Sequence, residues 1–206
     1  MAWRVLTCRL LVAVTLLGGA GVAAASAVDD EKAAGVMAAY LRHIAALTTW
    51  PVSPAGADLS RQPIVIGVLG DDPNGVIAPI RSRIASSQSL LAQGRPIELS
   101  DLDLSGLRGG QLAALLEPCA LLFLSADSDA MWAMVRPVIA TMPIVTVSEM
   151  AGFARRGGMV EYLVDLASGK VRLIVNVRAM RQAGVVLSAR LLALESVTVL
   201  GGREDA

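Results

Sequence analysis

The run Pro143-Ile144-Val145-Thr146-Val147 and the loop after it, Ser148-Glu149-Met150-Ala151-Gly152-Phe153-Ala154-Arg155-Arg156-Gly157-Gly158, decide how the chain is read. A short, nearly continuous apolar run suits a strand covered on both faces, as in a parallel sheet. Two β-rich runs follow the loop, residues 159–164 and 171–177, joined by Asp165-Leu166-Ala167-Ser168-Gly169-Lys170. That order predicts an antiparallel hairpin at one side of the sheet. Residues 178–194 are helical in pattern, with a break near Gly184, an extended piece over 185–187 and Ser188 as cap of the second part. Residues 143–199 therefore read as core strand, loop, hairpin and packing helix, with residues 196–200 able to add a last strand.

Two more buried-strand signals lie upstream: Pro63-Ile64-Val65-Ile66-Gly67-Val68-Leu69 and Ala120-Leu121-Leu122-Phe123-Leu124. A shorter strand is expected over Ile97-Glu98-Leu99. Helical patterns separate them, over residues 29–48, 76–91, 109–116 and 130–140. In the first, Ala33, Met37, Tyr40, Leu41, Ile44 and Leu47 form an apolar stripe, with Asp29 and Asp30 at its start and Trp50-Pro51 as its stop. Gly70-Asp71-Asp72-Pro73-Asn74-Gly75 reads as a strand-to-helix turn, with Asp72 as cap and Pro73 as first helical residue. Pro79 should kink or restart the helix that follows. The alternation predicts an α/β fold: a mostly parallel sheet with helices on both faces, Rossmann-like in its three layers, plus a C-terminal antiparallel hairpin and helix.

Composition narrows the function. Hydrophobic residues are 54% of the 206, yet aromatics are only 3%, so the core is aliphatic and few rings remain to stack on bases. Lys+Arg and Asp+Glu are both 18, which gives no basic field to attract nucleic acid. The first 27 residues read as a secretory signal: Arg4 and Arg9, an apolar run over residues 10–17, and the A-x-A site Ala25-Ser26-Ala27. Residues 28–206 then form one mature α/β domain. Removing the signal takes away two arginines and no acid, leaving 16 basic and 18 acidic groups. Cys119 is the only mature cysteine, so no intrachain disulfide is possible; it is a buried small hydrophobe or one half of an intermolecular bond.

Candidate chemistry is sparse. His43 is the only histidine and lies beside the apolar stripe, as a spectator or a pH-responsive group. A lone histidine does not make a zinc site, and no cofactor or metal is expected. No G-x-S-x-G elbow occurs, and the glycines of residues 70–75 match neither phosphate-binding fingerprint. Asp101 and Asp103 could pair as acids, but their alternation with Leu102 and Leu104 reads as a solvated edge. Trp132 is a rim residue or a partner contact. Phe153 is a core plug or a partner anchor in a polar loop, where Arg155, Arg156 and Glu149 are further partner-binding candidates. Gly157 and Gly158 offer positive φ for the turn into the hairpin. Asn176 ends the hairpin, where its side chain can satisfy backbone groups. These features favour binding or regulation over catalysis.

Several pieces, in order, resemble the YfiR family of exported regulators. They are Tyr40-Leu41 through Trp50-Pro51, the strand and turn Ile66-Gly67-Val68-Leu69-Gly70-Asp71-Asp72-Pro73, and Gly94-Arg95-Pro96-Ile97. Residues 119–125, Thr146-Val147-Ser148-Glu149, Gly152-Phe153, Gly157-Gly158-Met159, residues 172–176 and 183–192 complete the series. The resemblance implies a periplasmic, non-enzymatic α/β protein, often dimeric. It also implies repression of a membrane-bound diguanylate cyclase through its periplasmic sensor domain, which lowers cyclic-di-GMP and biofilm formation. Redox-responsive relatives carry extra cysteines; with Cys119 alone, that switch does not transfer. Ile174, Ala39 and His43 stand where relatives often have other residue types. The alternative is a periplasmic small-ligand-binding module of a sensor or transport system, with its cleft near residues 70–74 and 125–127, at the carboxyl ends of the parallel strands.

Export has a direct readout. Intact-mass measurement on protein from the periplasm should find a chain that begins at Val28; a full-length cytoplasmic product would refute the signal reading.

Overall fold

The computed structural model describes residues 19–51, 62–86, 88–165 and 168–202. In chain order the elements are α1 (Gly19–Leu47), β1 (Thr48–Thr49), β2 (Ile64–Leu69), α2 (Ala78–Ala85), β3 (Leu91–Ala92), β4 (Arg95–Asp101), α3 (Gly110–Leu116) and β5 (Cys119–Leu124). Then come α4 (Asp129–Ile139), β6 (Val145–Ser148), β7 (Val160–Asp165), β8 (Lys170–Asn176), α5 (Val177–Gln182), β9 (Val186–Leu187), α6 (Ala189–Leu192) and β10 (Val197–Leu200).

Eight strands form one sheet in the order β10-β8-β7-β6-β5-β2-β4-β3. The strands β7, β6, β5, β2 and β4 run parallel, as their apolar runs require. The hairpin pairs Val160 with Val175 and Asp165 with Lys170, antiparallel. It is not the edge of the sheet: β10 lies beyond it, parallel to β8. The strand foreseen over residues 97–99 is longer, and its N-terminal end folds back on β3.

Side chains alternate across the sheet and bury two clusters. Leu121 and Phe123 of β5, with Val145 and Val147 of β6, face Met37, Leu41 and Ile44 of α1, Ile80 of α2, Met180 of α5 and Leu191 of α6. Leu122 and Leu124 point the other way, to Leu112 and Leu116 of α3 and Trp132, Val135 and Ile139 of α4. The three layers follow from this double burial. Tyr162 reaches through the first cluster and donates its hydroxyl to the Met37 carbonyl at 2.9 Å, tying sheet to α1. The two-residue pairing of β1 with β9 and the bond from Ser188 N–H to the Leu47 carbonyl tie the end of α1 to the C-terminal helices.

Three expectations need correction. The first helix begins at Gly19, not Asp29, so Ala25-Ser26-Ala27 lies within α1; residues 1–18, with the charged and apolar parts of the signal reading, lie outside the described residues. No described helix is long and apolar enough to cross a membrane. Asp72 does not cap a helix at Pro73. It sits at φ 51°, and its carboxylate accepts the Val76 and Ile77 N–H groups at 2.8 and 2.9 Å. The helix starts only at Ala78, with Pro79 in its first turn, where proline's missing N–H costs nothing. Residues 125–128 read as a helix start with Ser125 or Asp127 as cap; the N-cap of α4 is instead Ser128. The C-terminal region is as read, with Ser188 Oγ accepting from Arg190 N–H at 3.3 Å at the start of α6.

Asp101 and Asp103 are structural rather than a paired acid site. Asp101 takes both nitrogens of the Arg81 fork, at 3.0 and 2.7 Å, which holds its carboxyl below the usual range. Asp103 accepts the Ser105 N–H at 2.9 Å and turns the chain. His43 is on the exposed side of α1.

Gly67, in mid-strand, is needed for close packing. A β-carbon there would stand 2.7 Å from Leu102 Cδ1 and 2.9 Å from Cys119 Sγ. Cys119 is 5% exposed, and burial pushes its thiol pKa up. Gly67→Ala should therefore destabilise the fold by about 1–3 kcal/mol, the usual cost of overpacking. A urea titration checks this; an unchanged midpoint would mean that the neighbours yield freely.

Candidate functional site

The loop between β6 and β7 is built as a rigid buckle. Ser148 starts it: its hydroxyl donates to the Leu124 carbonyl at 2.8 Å and accepts the Met150 N–H at 3.0 Å. Turns then close on one another, with Phe153 N–H to Met150 carbonyl at 3.1 Å and Gly158 N–H to Phe153 carbonyl at 2.9 Å. Glu161, only 3% exposed on β7, reaches back into the loop. Its two carboxylate oxygens accept the Gly152 and Ala154 N–H groups at 2.8 and 3.0 Å. A buried carboxylate is tolerable when both oxygens are satisfied in this way. Asn176 clamps the other side: its amide donates to the Ala154 carbonyl at 2.8 Å while its Oδ1 accepts Ala179 N–H at 2.9 Å and caps α5.

Phe153 takes the core position. It is fully buried and tilts against Trp132, with ring centroids 4.7 Å apart. Trp132 is buried as well, so neither ring is offered at the surface. Gly158 is required by that ring and not by a positive φ: a β-carbon there would lie 2.2 Å from Phe153 Cε1. Gly157 does have positive φ, at 97°.

What remains outside is charged. Arg155 is exposed and makes no ion pair or hydrogen bond among the described residues. Arg156 is exposed too, but its guanidinium is engaged by Asp129 of α4 and by the Ala151 carbonyl. Glu149 is half-buried at the loop's start. Its Oε2 accepts from the Asn74 amide at 2.8 Å, and its Oε1 is buried without a partner among the described residues. Burial raises its pKa above the ordinary 4.5; nearby Asp72 and Asp127 add to the rise, while the Asn74 bond opposes it.

The sheet has its topological switch point between β2 and β5, where ligands commonly bind in α/β folds. Here side chains close it. Gly70, at φ 93°, packs so tightly that a β-carbon would sit 1.9 Å from Ser125 Oγ. Ser125 Oγ donates to Asp127 at 2.6 Å and bonds Ser128 Oγ at 2.9 Å, and Ser128 donates to the Leu69 carbonyl at 3.0 Å. Gly70 and Asp72 are thus part of the scaffold, brought beside Glu149 through Asn74. Residues 149–158 form a separate exposed ridge braced by α4 and α5. Sequence reasoning missed Glu161, because a single acid inside an apolar strand gives no sign of which backbone groups it will meet.

The architecture is a three-layer α/β domain with a closed switch point and a braced, charged loop. The YfiR/HmsC-like family profile matches residues 34–195, and the chain belongs to that family, a regulatory and periplasmic one. No curated protein matches it.

Glu149 gives a pH test. Its folded pKa lies above the unfolded one, so its contribution is fully present below about pH 4.5 and is lost as pH rises through the folded value. Glu149→Gln should gain stability relative to the wild type as pH rises from 4 to 7 (~3 units, spanning the glutamate range). Parallel melting curves across that range would count against the buried-carboxylate account.

Proposed function

We propose that the mature chain is a periplasmic, non-enzymatic regulator that binds the periplasmic sensor domain of a membrane-bound signalling protein. The partner is a diguanylate cyclase, held in its inactive state, so that cyclic-di-GMP and biofilm formation fall. Family membership over residues 34–195 carries this reading, because that span includes the β6–β7 loop and the hairpin. The loop supports it physically. A repressor must bind one conformation of its partner better than the other, since equal affinity for both shifts nothing. A pre-ordered surface spends little binding energy on its own ordering. Arg155 suits the contact: it is charged, exposed and unpaired among the described residues on a braced loop. Glu149 and Arg156 flank it as further contacts; Arg156 would have to share or exchange Asp129. Phe153 acts beneath them as the support of the ridge. A second copy of the chain is compatible with the same role.

Deleting the gene should raise cyclic-di-GMP and surface attachment. Complementation with Arg155→Glu should fail to restore repression and should weaken co-purification with the cyclase's sensor domain by about tenfold or more, the scale of a lost charge-assisted contact. Phe153→Ala is a poor probe, because emptying that core site costs about 3–5 kcal/mol. Unchanged cyclic-di-GMP on deletion, with no membrane signalling protein co-purifying, would overturn the regulatory reading.

A further inference from the structure

A cavity of about 170 Å³ opens between α4, α5 and the start of the hairpin. Trp132 and Met159 supply apolar walls, and Arg136, Thr146, Gly157 and Gln182 supply the polar lining. The Arg136 guanidinium lies against Gly157, where a β-carbon would come within 3.3 Å of Nη2. It has no acid or carbonyl partner among the described residues. Thr146 is 1% exposed, and its Oγ1 accepts the Met159 N–H at 3.0 Å. Its own O–H then has no acceptor among the described residues. No acid lines the cavity, and Glu161 of β7 and Asp129 of α4 are engaged elsewhere: Glu161 holds the Gly152 and Ala154 N–H groups, and Asp129 holds Arg156. Ile139, Ala140 and Ala179 complete the apolar wall, and among the polar lining side chains donors outnumber acceptors and the one formal charge is positive.

We propose that this cavity binds a small anion, a carboxylate or phosphate-type group, through the fork of Arg136 and the hydroxyl of Thr146. An arginine fork matches two anionic oxygens at once, and hydrogen bonds to charged groups are the stronger kind. The volume sets the size. Pockets for drug-sized ligands run from roughly 300 to 1,000 Å³, so this one suits an inorganic oxyanion or a compact organic acid and excludes a nucleotide. The occupant would join α4 through Arg136, α5 through Gln182 and the loop through Gly157. It would thus brace the ridge that carries Arg155 and Arg156. This site is independent of the partner reading, and its test reads binding alone.

The mature chain, labelled with nitrogen-15, is titrated separately with sodium phosphate, sodium acetate and sodium chloride at matched ionic strength. Saturable shifts of the Gly157, Met159 and Gln182 amides and the Trp132 indole are expected with phosphate, acetate or both. Phosphate alone would identify a tetrahedral oxyanion, acetate alone a planar carboxylate. Arg136→Gln, an exposed substitution that leaves the core intact, should weaken binding about tenfold or more. Arg172→Gln, the same loss of charge on β8, should leave it unchanged. Shifts that fail to saturate, that chloride reproduces, or that survive Arg136→Gln would overturn the site.

Discussion

Parallel strands with apolar side chains on both faces must be covered twice, and most of the architecture follows from that constraint. β5 shows it in one element: Leu121 and Phe123 need α1 and its neighbours, while Leu122 and Leu124 need α3 and α4. At about 25 cal/mol per Å² of apolar surface, leaving either face uncovered would outweigh the marginal stability of a domain this size. The same constraint explains the glycine at position 67, where two covered strands approach so closely that no β-carbon fits beside Cys119 and Leu102. It also explains why Tyr162, buried among aliphatic groups, must donate its hydroxyl to a carbonyl of α1.

The loop after β6 extends the same packing to the surface. Phe153 belongs to the second core cluster, and Gly158 leaves the room its ring occupies beside the backbone. Glu161 and Asn176, from the two strands of the hairpin, then satisfy the loop's backbone from below. The outcome is an exposed ridge whose position is set by buried groups. Its arginines are displayed while the loop's large apolar side chains, Met150 and Phe153, are used inward. A surface made in this way is ordered in the free chain, which is what the regulatory role proposed above would require.

Electrostatics divides this side of the molecule. Asp72, Asp127 and Glu149 gather at the carboxyl ends of β2, β5 and β6, where burial, helped by repulsion from the two aspartates, raises the Glu149 pKa. Around α4 and the loop, arginines outnumber the acids left to meet them, and among the described residues only Arg156 is paired there. The two regions lie at opposite ends of the same β6–β7 connection.

The sequence by itself determined the layers. Runs such as Ile64-Val65-Ile66-Gly67-Val68-Leu69 and Leu121-Leu122-Phe123-Leu124 declare strands buried on both sides, and the helical stripes between them declare what covers those strands. Break and cap signals at Gly184 and Ser188 are local chemistry and were legible for the same reason. Only the tertiary structure decided the roles of Asp72, Phe153, Gly158 and Glu161. Asp72 and Pro73 look like a helix start, yet the carboxylate meets N–H groups four and five residues on. Phe153 sits in a polar stretch, so its burial depends on Trp132, 21 residues earlier in the chain. Gly158 is read as a positive-φ turn glycine until the ring beside it is known. Glu161 carries no local signal at all, because its partners lie on a different element. Local propensity and periodicity are written along the chain, whereas the pairing of a buried polar group with its partners exists only once distant segments are packed together.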